Sequence, residues 1–150
     1  MSNFNRLRLR HYDYRSNGYY FITFVTQQRM ELLKGREWIL EALFKDVVSP
    51  IRGVAIDTLV VTPNHVHVIV VIDNSTMHLG EVIRRFKAKS SYLFKERLWQ
   101  SNYYEHVIRD ERALHRIREY IMNNPAMEIM KFDHSINLVH SDKSAGYQLK

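Results

Sequence analysis

Two histidines separated by one apolar residue stand at the head of a strand-like run in the middle of the chain. Because side chains alternate across a strand, His65 and His67 project to the same face, about 6–7 Å apart at the backbone. At that spacing two imidazoles can converge on one cation or one phosphate. Val66 and Val68 make the opposite face apolar, and Ile69 follows the histidines on their own face. Burying imidazoles there without partners is costly, so we interpret the pair as a binding site.

The last predicted helix carries a phenol and a carboxamide four residues apart. Its apolar stripe is formed by Leu114, Ile117 and Ile121. Tyr120 and Asn124 lie one above the other at the border of that stripe, so the helix can dock by its apolar side and present both groups to a site. In the competing interpretation Tyr120 only packs there and Asn124 ends the helix before a proline. The two histidines favour the first interpretation.

A sheet and a helix must position these side chains. The spacing of apolar residues along the chain predicts the order β-α-β-β-α-β-α. The strands are expected at about 19–26, in a hairpin that turns at Pro63-Asn64, and at 103–108, with helices at about 36–49, 77–98 and 111–124. Two βαβ units sharing a hairpin give an α+β, ferredoxin-like (RRM-like) fold, with a four-stranded antiparallel sheet and a C-terminal helix that carries Tyr120. The third strand, which holds the histidines, then lies beside the first in the sheet interior.

Length and composition restrict the number of domains, the kind of partner and the kinds of site that this chain can have. The 150 residues fit one domain, with a basic N-terminal arm at 1–17 and an irregular tail at about 126–150. A net charge of +6 and a pI near 9.6 favour a polyanionic partner, with nucleic acid the leading candidate. The lack of cysteine excludes disulfides, thiolate zinc sites and cysteine nucleophiles. Neither a membrane span nor a signal peptide is evident, so we expect a cytoplasmic protein.

Basic residues concentrate in two places that suit phosphate contacts. In the N-terminal arm arginines alternate with apolar residues and precede aromatics, which fits either phosphate contact and base stacking or a solvated arm. The predicted helix at 77–98 carries six cations against Glu81 and Glu96, which favours a phosphate backbone. The candidate DNA-binding residues are Arg6, Arg8, Arg10, Tyr14, Arg84, Arg85 and Lys87.

With these residues in view, the chain resembles a known family. His65-Val66-His67 matches the His-hydrophobic-His signature of the HUH single-strand nucleases. The segment 103–109 followed by 118–125 resembles the single-tyrosine transposases, specifically the REP-associated tyrosine transposases. The segment 12–26, Pro63-Asn64-His65 and Phe86-Lys87 are similar to the same group. The resemblance covers roughly residues 6 to 125 and does not extend into the tail.

The resemblance implies metal-dependent cleavage and transfer of single-stranded DNA at hairpin (REP-like) sequences. Tyr120 matches the position of the family's nucleophile, which implies that it forms a 5′-phosphotyrosine intermediate. His65 and His67 hold a divalent metal ion, Mg²⁺ or Mn²⁺, and Asn124 stands at the third ligand position, where many relatives have Gln. The expected partner is single-stranded DNA with a hairpin, bound by a monomer or by a homodimer that exchanges its tyrosine helix.

Two other functions compete with this interpretation. A histidine-triad nucleotide hydrolase needs a third histidine two residues after His67, and that position is Ile69. A non-catalytic single-stranded nucleic-acid-binding module of ferredoxin-like fold, in which the histidines and aromatics pair and stack with bases, stays open as the alternative.

Overall fold

The first strand runs through the interior of an antiparallel sheet, and the other elements are arranged around it. The computed structural model describes residues 17–123 and 137–140. The strands are β1 (Gly18–Val25), β2 (Val54–Val61), β3 (His65–Ile72), β4 (Asn102–Ile108) and β5 (Asn137–His140). The helices are α1 (Glu37–Val48), α2 (Leu79–Phe94) and α3 (Glu111–Asn123), with a short 3-10 turn at Gln27–Arg29.

The sheet has the strand order β2-β3-β1-β4-β5, and every neighbouring pair is antiparallel. The first four strands therefore follow the ferredoxin-like order, which confirms the predicted fold. β3 lies between β1 and β2, with His65 opposite Val25 and His67 opposite Thr23. The histidine strand is thus an interior strand, as the sequence predicts.

The two faces of the sheet are covered by different helices because the strand side chains alternate. Tyr20, Ile22 and Phe24 of β1 point into a core shared with α1 and α2. Tyr19 and Phe21 point the other way, into a smaller core with α3. That second core also contains Ile69, Ile108, Leu114, Ile117 and Ile121. Since Ile69 shares its face of β3 with both histidines, α3 covers the face that carries them.

The structure differs from the predicted elements at two ends. Helix α2 ends at Phe94 instead of near 98, because Lys95 adopts a left-handed conformation with φ 53° that stops the helix. Part of the tail expected to be irregular forms β5, which extends the sheet by pairing with β4 from Asn102 to Glu105. The N-terminal arm at 1–16 and the rest of the tail lie outside the described residues. Within the described part of the chain, no helix has the length and apolar character that crossing a membrane requires.

Candidate functional site

The two histidines meet at one end of the sheet. They are the first and third residues of β3, and their ring centroids are 4.6 Å apart with the rings at 70° to each other. His67 is completely buried, and His65 retains 8% of its exposure. The prediction that the two imidazoles share one face and lie side by side is therefore realised.

Hydrogen bonds to Asn64 and Thr62 fix the orientation of the His65 ring. Its Nδ1 lies 2.7 Å from Asn64 Oδ1 and 2.8 Å from Thr62 Oγ1. The Asn64 amide nitrogen donates to the carbonyl of Arg29 at 3.2 Å, which directs the amide oxygen toward the ring. An amide oxygen only accepts, so Nδ1 of His65 carries the proton and donates. In the neutral ring Nε2 then holds the lone pair, the form that binds a metal ion.

The Arg29 carbonyl owes its position to an unusual backbone in the 3-10 turn. Gln28 and Arg29 have φ values of 53° and 56°, a left-handed conformation that non-glycine residues seldom adopt. Thr26 ties this turn to the hairpin, since its backbone N–H and its hydroxyl both donate to the carbonyl of Asn64, at 3.0 and 3.1 Å. The β2–β3 turn and the end of β1 therefore support the His65 ring together.

His67 is oriented from the neighbouring strand. Its Nδ1 lies 2.7 Å from the hydroxyl oxygen of Thr23 on β1, and its ring centroid lies 5.6 Å from that of Phe21. Histidines that bind metals use one ring nitrogen as ligand and fix the other by a hydrogen bond. Both imidazoles have a hydrogen bond at Nδ1, so the pair fits two ligand positions of a divalent cation.

Tyr120 stands beside the histidine pair. Its ring centroid is 6.2 Å from that of His67 and 6.5 Å from that of Phe21. The side chain is half-buried, and this burial raises the pKa of the phenol above its ordinary value. The phenol is therefore neutral near pH 7, and it needs a proton acceptor before it can act as a nucleophile.

Helix α3 holds Tyr120 in place through an apolar stripe and one ion pair. Arg118 binds Asp57 of β2 in a bidentate manner, from Nε to Oδ2 at 2.9 Å and from Nη2 to Oδ1 at 2.5 Å. Burial raises the pKa of Asp57, but the hydrogen bonds from Arg118 and Thr58 outweigh it and leave the pKa below its usual value. Asp110 directly precedes the helix, and its carboxylate accepts from the N–H of Ala113 at 2.8 Å, as expected of an N-cap.

The third predicted ligand, Asn124, follows α3 directly and lies outside the described residues. The structure thus brings together His65, His67 and Tyr120 and does not describe the amide. Among the residues it describes, no three His, Cys, Asp or Glu side chains form a group that could hold a metal ion. A cation bound here therefore needs ligands in addition to the two imidazoles, from an amide, water or phosphate.

The predicted DNA-binding residues of α2 lie on the opposite side of the sheet from the histidines. Arg84 and Arg85 both bind Glu81, at 2.7 and 3.1 Å, and the hydrogen bond from Arg84 lowers the pKa of Glu81 to about 2. Lys87 donates to the carbonyls of Gln100 and Asn102, at 3.0 and 3.4 Å. The remaining candidates, Arg6, Arg8, Arg10 and Tyr14, lie outside the described residues.

Two residues that orient the site could not be predicted from the sequence pattern. Thr23 and Asp57 contact His67 and Arg118 across 44 and 61 positions of the chain. No local pattern signals such pairs, because they depend on strand register and helix docking. Asn64 is different, since an amide directly before a candidate ligand in a tight turn is visible in the sequence.

Comparisons with known proteins match most of this chain. Residues 14–124 match the family described as "Transposase IS200 like". An "Uncharacterized protein" of Haemophilus influenzae is 32% identical over 81% of this chain and 87% of its own length. A second protein of that organism, named "Putative REP-associated tyrosine transposase", is 27% identical over 97% of this chain and 89% of its own length. A solved structure of a REP-associated tyrosine transposase bound to a REP hairpin has the same fold, with a TM-score of 0.65, 24% identity, and coverage of 77% of this chain and 70% of that one.

Proposed function

Because the chain belongs to the IS200-like transposase family, we propose that it cleaves and rejoins single-stranded DNA, with Tyr120 as the nucleophile. The observation that carries the proposal is the contact of a phenol with a histidine pair. The Tyr120 ring lies 6.2 Å from His67, whose ring lies 4.6 Å from His65. A candidate nucleophile, which is half-buried, thus lies beside two candidate ligands.

In the proposed reaction the Tyr120 oxygen attacks a DNA phosphorus. The phenol proton leaves to solvent, and the bond from phosphorus to the 3′ oxygen breaks. That oxygen takes up a proton from solvent, so cleavage leaves a free 3′-hydroxyl on one side and a 5′-phosphotyrosine on the other. Attack of a 3′-hydroxyl on that phosphotyrosine reverses the bond changes and transfers the strand. His65 and His67 hold Mg²⁺ or Mn²⁺, with Asn124 as a third ligand by its family position. These residues would hold a divalent ion, whose chemistry there would be to polarise a non-bridging phosphate oxygen and offset the developing charge.

We propose DNA that folds into a hairpin as the partner. Two proteins to which this chain is similar are named for REP sequences, and one of them was solved with a REP hairpin. The net charge of +6 suits a polyanion. We propose that the following residues contact DNA phosphates: Arg6, Arg8, Arg10, Tyr14, Arg84, Arg85 and Lys87. For Lys87 this requires that the side chain exchange its hydrogen bonds to backbone carbonyls for a phosphate.

The proposal is tested by trapping the covalent intermediate. A hairpin with a single-stranded flank is incubated with the chain and Mn²⁺, and adducts that survive denaturation are separated by gel electrophoresis. We expect an adduct with the wild-type chain and none with Tyr120→Phe, which lacks the attacking oxygen. Tyr104→Phe is the matched control, since Tyr104 contributes to the same α3-side core but is expected to leave adduct formation intact.

Two results would contradict the nucleophile assignment. One is an adduct that persists in Tyr120→Phe. The other is the lack of any adduct from a wild-type chain that binds the hairpin equally well with and without a chelator. The second result would instead support the non-catalytic binding module.

A further inference from the structure

One side of α2 combines positive charge with an exposed aromatic ring. Arg85, Lys89 and Tyr92 recur at helical spacing on one side of the helix, and Lys95 follows at its end. We call these four residues the α2 stripe. The residues of α2 that pack on the sheet are Leu79, Val82, Ile83, Phe86 and Ser90. The α2 stripe faces away from them, and 85% of Tyr92 is exposed.

The charges around the α2 stripe leave a positive excess. Residues 79–97 contain six Lys and Arg side chains and two glutamates. Each glutamate is bound by arginine: Glu81 by Arg84 and Arg85, and Glu96 by Arg36 at 3.3 Å. The ammonium groups of Lys89 and Lys95 flank Tyr92, and among the residues that the structure describes neither is paired with a carboxylate.

A second exposed aromatic residue shows that exposure alone does not define such a surface. Trp38 of α1 is 71% exposed, but its neighbour three residues further along the helix is Glu41. A carboxylate beside an exposed ring repels the phosphates of a DNA backbone. Ammonium groups beside the ring attract them. Proteins that bind single strands combine stacking rings with cations in the second way.

We propose that the α2 stripe is a second DNA-contact surface that holds an unpaired nucleotide, whose base stacks on Tyr92 and whose flanking phosphates contact Lys89 and Lys95. The stripe spans about 15 Å from Arg85 to Lys95, at 1.5 Å per residue, which is enough for a few nucleotides. It lies on the sheet face opposite the histidine pair, so it takes a part of the strand away from the reacting phosphate. The proposal rests on the proposed function in requiring DNA as the substrate.

The surface is tested by equilibrium binding in a chelator, which separates binding from cleavage. Fluorescence anisotropy compares a hairpin that carries a single-stranded flank with the same hairpin lacking it. We expect Tyr92→Ala to weaken binding of the flanked hairpin at least about fivefold, from the lost stacking. Tyr92→Phe should bind as wild type because it keeps the ring. Lys89→Gln should lower the salt dependence of log K by about one unit of slope.

The controls separate this surface from the fold and from the proposed function. Trp38→Ala removes another large exposed ring and should leave the affinities for both hairpins unchanged. Circular dichroism checks that each variant keeps its melting temperature. Wild-type affinity of Tyr92→Ala for the flanked hairpin would overturn the proposal, and so would an equal loss for the blunt hairpin or an equal effect of Trp38→Ala. None of these results removes a Tyr120 adduct, so the surface can fail while the proposed function stands.

Discussion

The orientation of the two imidazoles is set by hydrogen bonds between Nδ1 of each ring and neighbouring residues. Asn64 is the clearest of them, because its amide is held at one end by the Arg29 carbonyl and at the other by the His65 ring. This arrangement places the ring proton on Nδ1 and the lone pair on Nε2. The position of a backbone carbonyl in a left-handed turn thus decides which nitrogen of His65 can bind a cation.

We predict that Asn64→Leu weakens Mn²⁺ binding about 10- to 100-fold, the range found when the hydrogen-bond partner of a ligating histidine is removed. Asn64→Asp should retain binding, since a carboxylate oxygen still accepts from Nδ1. Mn²⁺ affinity is measured by electron paramagnetic resonance of the free ion. Nitrogen-15 NMR of the metal-free chain reports the tautomer directly, and a proton found on Nε2 of His65 in the wild-type chain would refute this account.

At the scale of elements, the position of α3 decides whether Tyr120 reaches the histidines. Leu114, Ile117 and Ile121 bury the apolar stripe, but apolar contacts permit some sliding along the sheet. The bidentate pair of Arg118 with Asp57 fixes the helix to β2 two residues before Tyr120. Asp57 is at a register shift of the β2–β3 pairing, where the strand departs from regular geometry.

We predict that Asp57→Asn lowers the free energy of unfolding by about 1 kcal/mol at pH 7, since the pair is partly screened by solvent. The pKa of Asp57 is lowered in the folded state, so its contribution is fully present above the ordinary value of 3.8. It is lost as the pH falls from there through the lower folded-state pKa. Urea unfolding at pH 7 and at pH 3 measures both chains. Their stabilities should differ at pH 7 and converge at the lower pH.

The same variant should slow adduct formation more than it weakens hairpin binding, because the helix that carries the nucleophile loses its anchor. Glu31→Gln is the matched control, since it breaks the exposed 3.9 Å contact with Lys34, and we expect almost no effect on stability or rate. A rate unchanged in Asp57→Asn would show that the apolar stripe alone positions Tyr120.

At the scale of the whole molecule, a single chain brings its own phenol to its own histidine pair. The core under α3 is made of residues from that helix and from β1, β3 and β4 of the same chain. Exchange of α3 between two copies would have to open this core and break the pair of Arg118 with Asp57. We therefore expect Tyr120 to act beside the histidine pair of its own chain.

We predict that two inactive chains do not restore each other. Tyr120→Phe keeps the histidines, and His65→Ala combined with His67→Ala keeps the tyrosine. Mixed in equal amounts with hairpin DNA and Mn²⁺, they should form no more adduct than either alone. Recovery of a substantial fraction of the wild-type adduct would mean that the nucleophile acts in trans within a dimer, and a sedimentation experiment on the mixture would then show the dimer.

The sequence alone determined the framework of this protein. The alternation of Val66 and Val68 with the histidines was enough to predict that His65 and His67 share one face, because the period of a strand is local. The helical period of Leu114, Ile117 and Ile121 predicted the docking side of α3 in the same way. The order of strands and helices along the chain then predicted the ferredoxin-like strand order, because only a few ways of connecting strands are compatible with that order of elements.

Only the tertiary structure decided how the site is oriented and how the charges are used. The contacts of Thr23 with His67 and of Asp57 with Arg118 join distant segments, and their existence depends on strand register and helix docking that no local period encodes. Likewise, Glu81 binds Arg84 and Arg85, and Lys87 donates to backbone carbonyls. The cations of α2 that the structure leaves beside Tyr92 are Lys89 and, after the end of the helix, Lys95. Periodicity specifies which face a side chain occupies, whereas its partner is set by the packing of the whole chain.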